Sequence, residues 1–261
     1  MSNSGVLVCE SDTDFEKIVE IFKKEIKNAR YNSLFLQPLE NYVDVGAHYG
    51  AFAHEAHRRG AQTIYCFEAS STNSLLMQNL LDECGVDNYR IFNLAVAGES
   101  GEIVKLRKIN NAGSDQYSII NYDHRSEYQI SEEFEPCLTV SLEDIFKLCN
   151  LEKISTMKVD IEGAEYDFLM NKDLSNIDSM YIEFHCGPKK NKDLCIYLSQ
   201  YFYILGAYTA SDDKTHMSPI ATGDGDTFIN IGEIDFDMEL HYMMLTNKNL
   251  KDLKFVKNKN N

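Results

Sequence analysis

The string Asp44-Val45-Gly46-Ala47-His48-Tyr49-Gly50 sets a carboxylate two residues ahead of a pair of glycines, at the end of the apolar run Tyr42–Val45. A pyrophosphate-binding loop carries glycine at the third and sixth positions counted from its first glycine, so that backbone can approach phosphate and a helix N-terminus can face it. Here those positions hold His48 and Ala51. Asp44 would repel a phosphate and attract a cation such as the ammonium of a methionyl group, which is the pattern of S-adenosylmethionine rather than of NAD. Glu68 follows Gly46 by 22 residues, where a strand-end carboxylate can accept both hydroxyl hydrogens of a ribose. Asp44, Gly46, Gly50 and Glu68, with His48 and Tyr49 inside the loop and Ala69 after the acid, form one expected cofactor constellation, to which Asp160 further along the chain is also assigned. Asn93-Leu94-Ala95 would reach the adenine side, although Asn93 is equally suited to capping a turn.

A second string, Met157-Lys158-Val159-Asp160-Ile161-Glu162-Gly163-Ala164-Glu165, carries acids on alternate residues. Period-two alternation sends Lys158, Asp160 and Glu162 to one face of a strand and its exit turn, and Gly163 permits a tight bend into a helix. Glu183-Phe184-His185 supplies another polar strand end. Transfer of a methyl group from such a donor needs the accepting atom placed in line and its proton removed. Asp160 and His185 are the first candidates for that base, with Glu183 next. A Mg or Mn ion held by Asp160, Glu183 and His185 would serve the same end by acidifying the hydroxyl, and sequence leaves the two open. For Glu162 and Glu165 the plain structural alternative is complementing a helix dipole.

The elements that must position these residues follow a βαβ rhythm. Helical spacing of Phe15, Ile18, Val19, Phe22 and Ile26 predicts an amphipathic helix over about residues 12–30. Strands are predicted at 42–45, 63–68, 90–96, 156–161 and 180–185. Helices are predicted at 51–59, 71–84, 142–149 and from 164, with a hairpin around 99–101. This order predicts a doubly wound parallel sheet with ligands beyond the carboxyl ends of its strands. Residues 109–135 break the rhythm and read as a lid or binding loop. The boundaries are a flanking helix over 1–40, a main domain over 41–235 and a Lys/Asn-rich C-terminal segment over 236–261.

Composition narrows the partners. In 261 residues, 25 Lys and Arg stand against 41 Asp and Glu, a net charge of −16, so no nucleic-acid partner is expected. A frayed tail accounts for the lysines at 248, 251, 254, 257 and 259. No stretch reads as a signal peptide or membrane span, and the expectation is a soluble, cytoplasmic protein without a membrane partner. Seven cysteines without a CxxC pair indicate neither a disulfide framework nor a zinc knuckle. His54-Glu55-Ala56-His57 has its histidines three apart rather than the four of a zinc-protease helix, and Asp224-Gly225-Asp226 lacks the remaining ligands of a calcium loop.

Three strings together resemble the FkbM family of S-adenosylmethionine-dependent O-methyltransferases: Asp44–Gly50, Phe67-Glu68-Ala69, and above all Lys158–Glu165 followed by Ile182-Glu183-Phe184-His185. The resemblance spans roughly residues 40–230, with Ala69 standing where the family usually has Pro and its Ser-rich acceptor loop reduced to Gly113-Ser114-Asp115. It implies an α/β, Rossmann-like methyltransferase sheet of seven mostly parallel strands with helices on both faces. The last strand, placed at Asp226–Ile231, would be antiparallel. It further implies a hydroxyl acceptor on a sugar, including a deoxysugar, or a glycan or polyketide. Two rivals stand beside it: a nucleic-acid ribose 2′-O-methyltransferase with Lys158 as base, and a methyltransferase-fold binding subunit without chemistry. Oligomeric state is not encoded in any of these features.

Overall fold

A computed structural model of the chain describes residues 12–27, 40–110, 116–119, 129–210, 217–222, 234 and 242–248. In chain order its first elements are α1 (Asp12–Lys27), β1 (Asn41–Val45), α2 (Ala51–Arg58), β2 (Thr63–Phe67), α3 (Ser71–Glu83) and β3 (Tyr89–Phe92). There follow β4 (Ala95–Val96), β5 (Ile103–Asn110), β6 (Tyr117–Ser118), β7 (Gln129–Val140) and α4 (Leu142–Cys149). The chain continues with β8 (Ile154–Val159), α5 (Glu165–Leu169), β9 (Ile177–Glu183), α6 (Pro188–Leu198), β10 (Phe202–Ala210), β11 (Met217–Thr222) and β12 (Tyr242–Asn247).

Among the described residues the main sheet has eight strands in the order β11-β10-β12-β9-β8-β1-β2-β3. β3, β2, β1, β8 and β9 run parallel, and β12 lies antiparallel between β9 and β10. The parallel strands read as near-continuous apolar runs because both of their faces are covered. Val43, Val45, Met157, Val159 and Ile182 pack with Ile145, Phe168 and Leu194 of α4, α5 and α6 on one face. Tyr42, Ile64 and Cys66 pack with Phe52 of α2 and with Met77 and Leu81 of α3 on the other. α1 closes over Tyr49 and α3 through Ile18 and Phe22. The mostly parallel sheet with helices on both faces is therefore present, and β11 adds an edge strand beyond the expected seven.

Four local expectations are revised. The run 90–96 is not one strand: the Asn93 side-chain amide donates to the carbonyls of Glu68 and Ala69, both at 2.9 Å, and breaks it. The apolar character continues through Leu94–Val96, so periodicity could not reveal the break. The hairpin around 99–101 is instead a turn between strands that do not pair: β5 pairs antiparallel with β7, and β4 pairs parallel with β7. The presumed loop 109–135 includes β6 and much of β7, which join β4 and β5 in a second sheet ordered β4-β7-β5-β6. Residues 132–134 are all exposed, which erases the period-two signal. Finally, the main sheet reaches past residue 235, because its antiparallel strand is β12. Asp226–Ile231, the Gly113-Ser114-Asp115 stretch, the Asp224–Asp226 turn and the lysines beyond residue 248 lie outside the described residues.

Candidate active site

Parallel pairing sets Asp44 beside Lys158, both at the carboxyl ends of their strands. Asp44 is completely buried and Lys158 nearly so. The Lys158 ammonium donates to the Gly46 carbonyl at 2.5 Å, and it lies 3.5 Å from the Asp44 carboxylate and 3.4 Å from that of Asp160. Within the chain itself, then, the cation that Asp44 faces is Lys158. Burial pushes the Asp44 carboxyl up to about 6 against the opposing pull of Lys158.

The glycine loop is fixed from two sides. The Gly46 and Ala47 N–H groups donate to the Phe67 carbonyl at 2.9 and 3.0 Å, while the Glu68 carboxylate accepts the N–H groups of His48 at 2.8 Å and Ser70 at 2.9 Å. Burial raises the Glu68 carboxyl, and these backbone donors hold it back. Gly46 sits at φ +77°, and a Cβ there would stand 1.7 Å from the Asp160 carbonyl oxygen. No side chain fits such a gap, so the first glycine of the loop is dictated by contact with β8's exit.

An open crevice begins at this loop. Gly46, Glu68 and Ala69 form one border, and Phe67, Leu94, Ala95, Val96 and Ile161 supply apolar walls. Leu106 of β5 and Ile119, just after β6, close it from the second sheet. Those two residues carry no sequence signal, since they reach the site only through the pairing of β5 with β6 and β7. Of the expected cofactor residues, Gly46, Glu68, Ala69 and Ala95 line the crevice. The Tyr49 side chain points elsewhere, into the cluster with Ile18, Phe22 and Leu80. Asn93 has its amide engaged by the β2–α3 turn, and Gly50 supports the loop at φ +83° against Met77.

On the other side of Gly46, Asp160, Glu183 and His185 bring one ligand atom each to within 4.8 Å of one another. His185 Nδ1 is 2.9 Å from the fully buried Glu165 carboxylate, and its Nε2 lies 3.4 Å from Glu183 and 3.7 Å from Glu162. Glu165 also accepts from the Gly163 N–H at 3.1 Å and the Ile161 N–H at 3.3 Å, and from the Cys186 thiol at 3.1 Å. Its work is thus to brace the turn and the imidazole, more than to complement a helix dipole. Cys186 lies in the turn after β9. Glu162 adopts φ +50°, a left-handed conformation that few non-glycine residues hold. Its carbonyl accepts the Ser118 hydroxyl at 2.8 Å, joining the second sheet to the acid cluster.

Burial would lower the His185 imidazole, but Glu162 and Glu165 prevail and hold it well above its usual value. Burial, then the Glu183 charge, raises Asp160, and burial pushes Glu162 up to about 7. The His54–His57 segment has other occupations: Arg58 and Arg59 clasp Glu55, and His57 bonds Asn88 at 2.6 Å.

A mostly parallel sheet in which β12 runs antiparallel between β9 and β10, with a glycine loop after its first strand and an acid after its second, has the Rossmann-like architecture of methyltransferases. The chain belongs to the family described as the methyltransferase FkbM domain, whose model matches residues 44–205. No curated protein matches it. Among solved structures it is similar to M. capricolum TrmK in complex with S-adenosyl-homocysteine, at 10% identity and TM-score 0.46, covering 88% of this chain and 68% of that one. The ribosomal protein L11 methylase of Lactobacillus delbrueckii subsp. bulgaricus gives 12% identity and TM-score 0.42, with coverages of 89% and 79%. An rRNA methylase from Streptococcus thermophilus gives 7% and 0.39, with coverages of 88% and 95%.

Proposed function

We propose that this methyltransferase uses S-adenosylmethionine to methylate a hydroxyl oxygen of a sugar or glycan. One observation carries the reading: the crevice and the acid–imidazole cluster meet where Gly46 packs against the Asp160 carbonyl. A donor in the first thus adjoins an acceptor in the second.

The crevice suits the donor. Its apolar walls, Phe67, Leu94, Val96 and Ile161, accommodate a flat purine, and Glu68 stands at the border. Each Glu68 oxygen accepts one backbone N–H, and a carboxylate offers about four lone-pair positions, so capacity remains for ribose hydroxyls. Gly46 and the loop after it give backbone access beside them. Bound there, S-adenosylmethionine would supply a methyl group whose bond to sulfur breaks as its bond to the acceptor oxygen forms.

On the acceptor side, Asp160, Glu183 and His185 receive the hydroxyl. His185, bordered by Glu162, Glu165 and Glu183, favours its protonated form and orients the oxygen, whereas the carboxylates accept the proton released. Lys158, bonded to the Gly46 carbonyl and flanked by Asp44 and Asp160, holds the two halves of the site together; that engagement weighs against its acting as the base of a ribose methyltransferase. The overall charge of −16 likewise favours an uncharged glycan over a polyanion.

The test is calorimetry with S-adenosylmethionine and with NAD, followed by labelled methyl transfer to free and glycan-linked sugars and to RNA. Heat with the first ligand alone and label on a sugar oxygen are expected. Preference for NAD would overturn the cofactor, label on RNA alone would overturn the acceptor, and binding without transfer to any acceptor would make the chain a binding subunit.

A further inference from the structure

Resting on that reading and deepening its acceptor half, the geometry points to a divalent-cation site of the magnesium or manganese class formed by Asp160, Glu183 and His185. The donor set is mixed, two carboxylates and one imidazole, drawn from the ends of two adjacent parallel strands, and this combination suits hard divalent ions. Around an ion at about 2.1 Å, adjacent donor atoms stand about 3.0 Å apart and opposite ones about 4.2 Å; the three atoms here lie within 4.8 Å of one another, so the side chains would draw together to close on the ion.

The imidazole is already aimed. A metal-binding histidine gives its other ring N–H to a carboxylate, which fixes both tautomer and orientation. Glu165, wholly buried and anchored by the Gly163 N–H, takes that place on Nδ1 at 2.9 Å and turns Nε2 toward Glu183. Glu165 itself is not among the three donors. Charge argues the same way: Asp160, Glu162, Glu165 and Glu183 gather around His185, with Lys158 the cation that touches Asp160. Four carboxylates outnumber Lys158 and the protonated imidazole, and that surplus of negative charge favours a divalent ion that takes the place of the Nε2 proton. Asp160 and Glu183 also keep partial exposure, 23% and 14% of their side chains, leaving one side of the cluster accessible to an acceptor oxygen. Such an ion would lower the pKa of a coordinated hydroxyl.

Titrating MnCl2 into the chelator-stripped full chain, followed by calorimetry and by the loss of the free-manganese paramagnetic signal, tests this without any acceptor. One Mn2+ per chain is expected, displaced by excess MgCl2. Asp160→Asn and Glu183→Gln should each weaken uptake at least tenfold, and Glu165→Gln, acting through His185, about 10- to 100-fold. Circular dichroism confirms that each variant is folded. No uptake at millimolar Mn2+, or unchanged uptake in folded Asp160→Asn and Glu183→Gln, would overturn the site. S-adenosylmethionine binding measured on the same samples separates the two ideas: donor binding without Mn2+ uptake rejects the metal alone, and Mn2+ uptake without donor binding supports the metal while rejecting the donor.

Discussion

A Cβ placed on Gly46 would meet the carbonyl oxygen of Asp160 at 1.7 Å. The glycine turn after β1 and the turn after β8 that carries Asp160 and Glu162 are therefore in backbone contact.

Gly46→Ala is expected to cost about 3 kcal/mol or more, because the new methyl has no space and φ +77° disfavours any side chain. Urea unfolding measures the loss, and donor affinity should fall with it. A variant as stable as the native chain would show the contact to be looser than described.

Asp160→Asn is nearly isosteric and removes the charge proposed to face the acceptor. Labelled transfer should fall at least 100-fold with the melting temperature within a few degrees of native. Full activity would remove this carboxylate from the chemistry.

Asp44 gives a pH signature. Its folded carboxyl is raised from 3.8 to about 6, so the folded state holds the proton more tightly than the unfolded chain. The associated stability is complete below 3.8 and is lost as pH rises through 6. Asp44→Asn lacks that loss. Relative to the native chain, the variant should gain about 1 kcal/mol between pH 5 and pH 7, read from denaturant midpoints at the two values. A constant difference would reject the raised carboxyl.

Glu162→Asn tests the left-handed turn. Asparagine tolerates φ near +50° better than glutamate, and the change also removes one carboxylate from a crowded cluster. The variant should be about 1 kcal/mol more stable, which for a domain of this size raises the melting temperature by about 2–4 °C. A lower melting temperature would mean that the Glu162 carboxylate contributes more through His185 than the backbone strain costs.

Much of the frame was legible in the chain. The apolar runs of β1, β2, β8 and β9, the glycines and the acids at the strand ends announced the sheet, the loop and the cluster of Asp160, Glu183 and His185. Local order suffices there, because a parallel strand covered on both faces has to be apolar, while a ligand-bearing turn has to be polar and flexible in φ. Other assignments needed the folded chain. Asn93 interrupts a run that remains apolar, β7 exposes Glu132, Glu133 and Phe134 in succession, and β12 enters the sheet from beyond the expected domain edge. Partner choice decided the rest: that Lys158 faces Asp44, that Glu165 braces His185, and that Leu106 and Ile119 wall the crevice. Each joins residues distant in sequence or turned by the backbone, and such pairings are fixed by strand register and burial, which no single segment encodes.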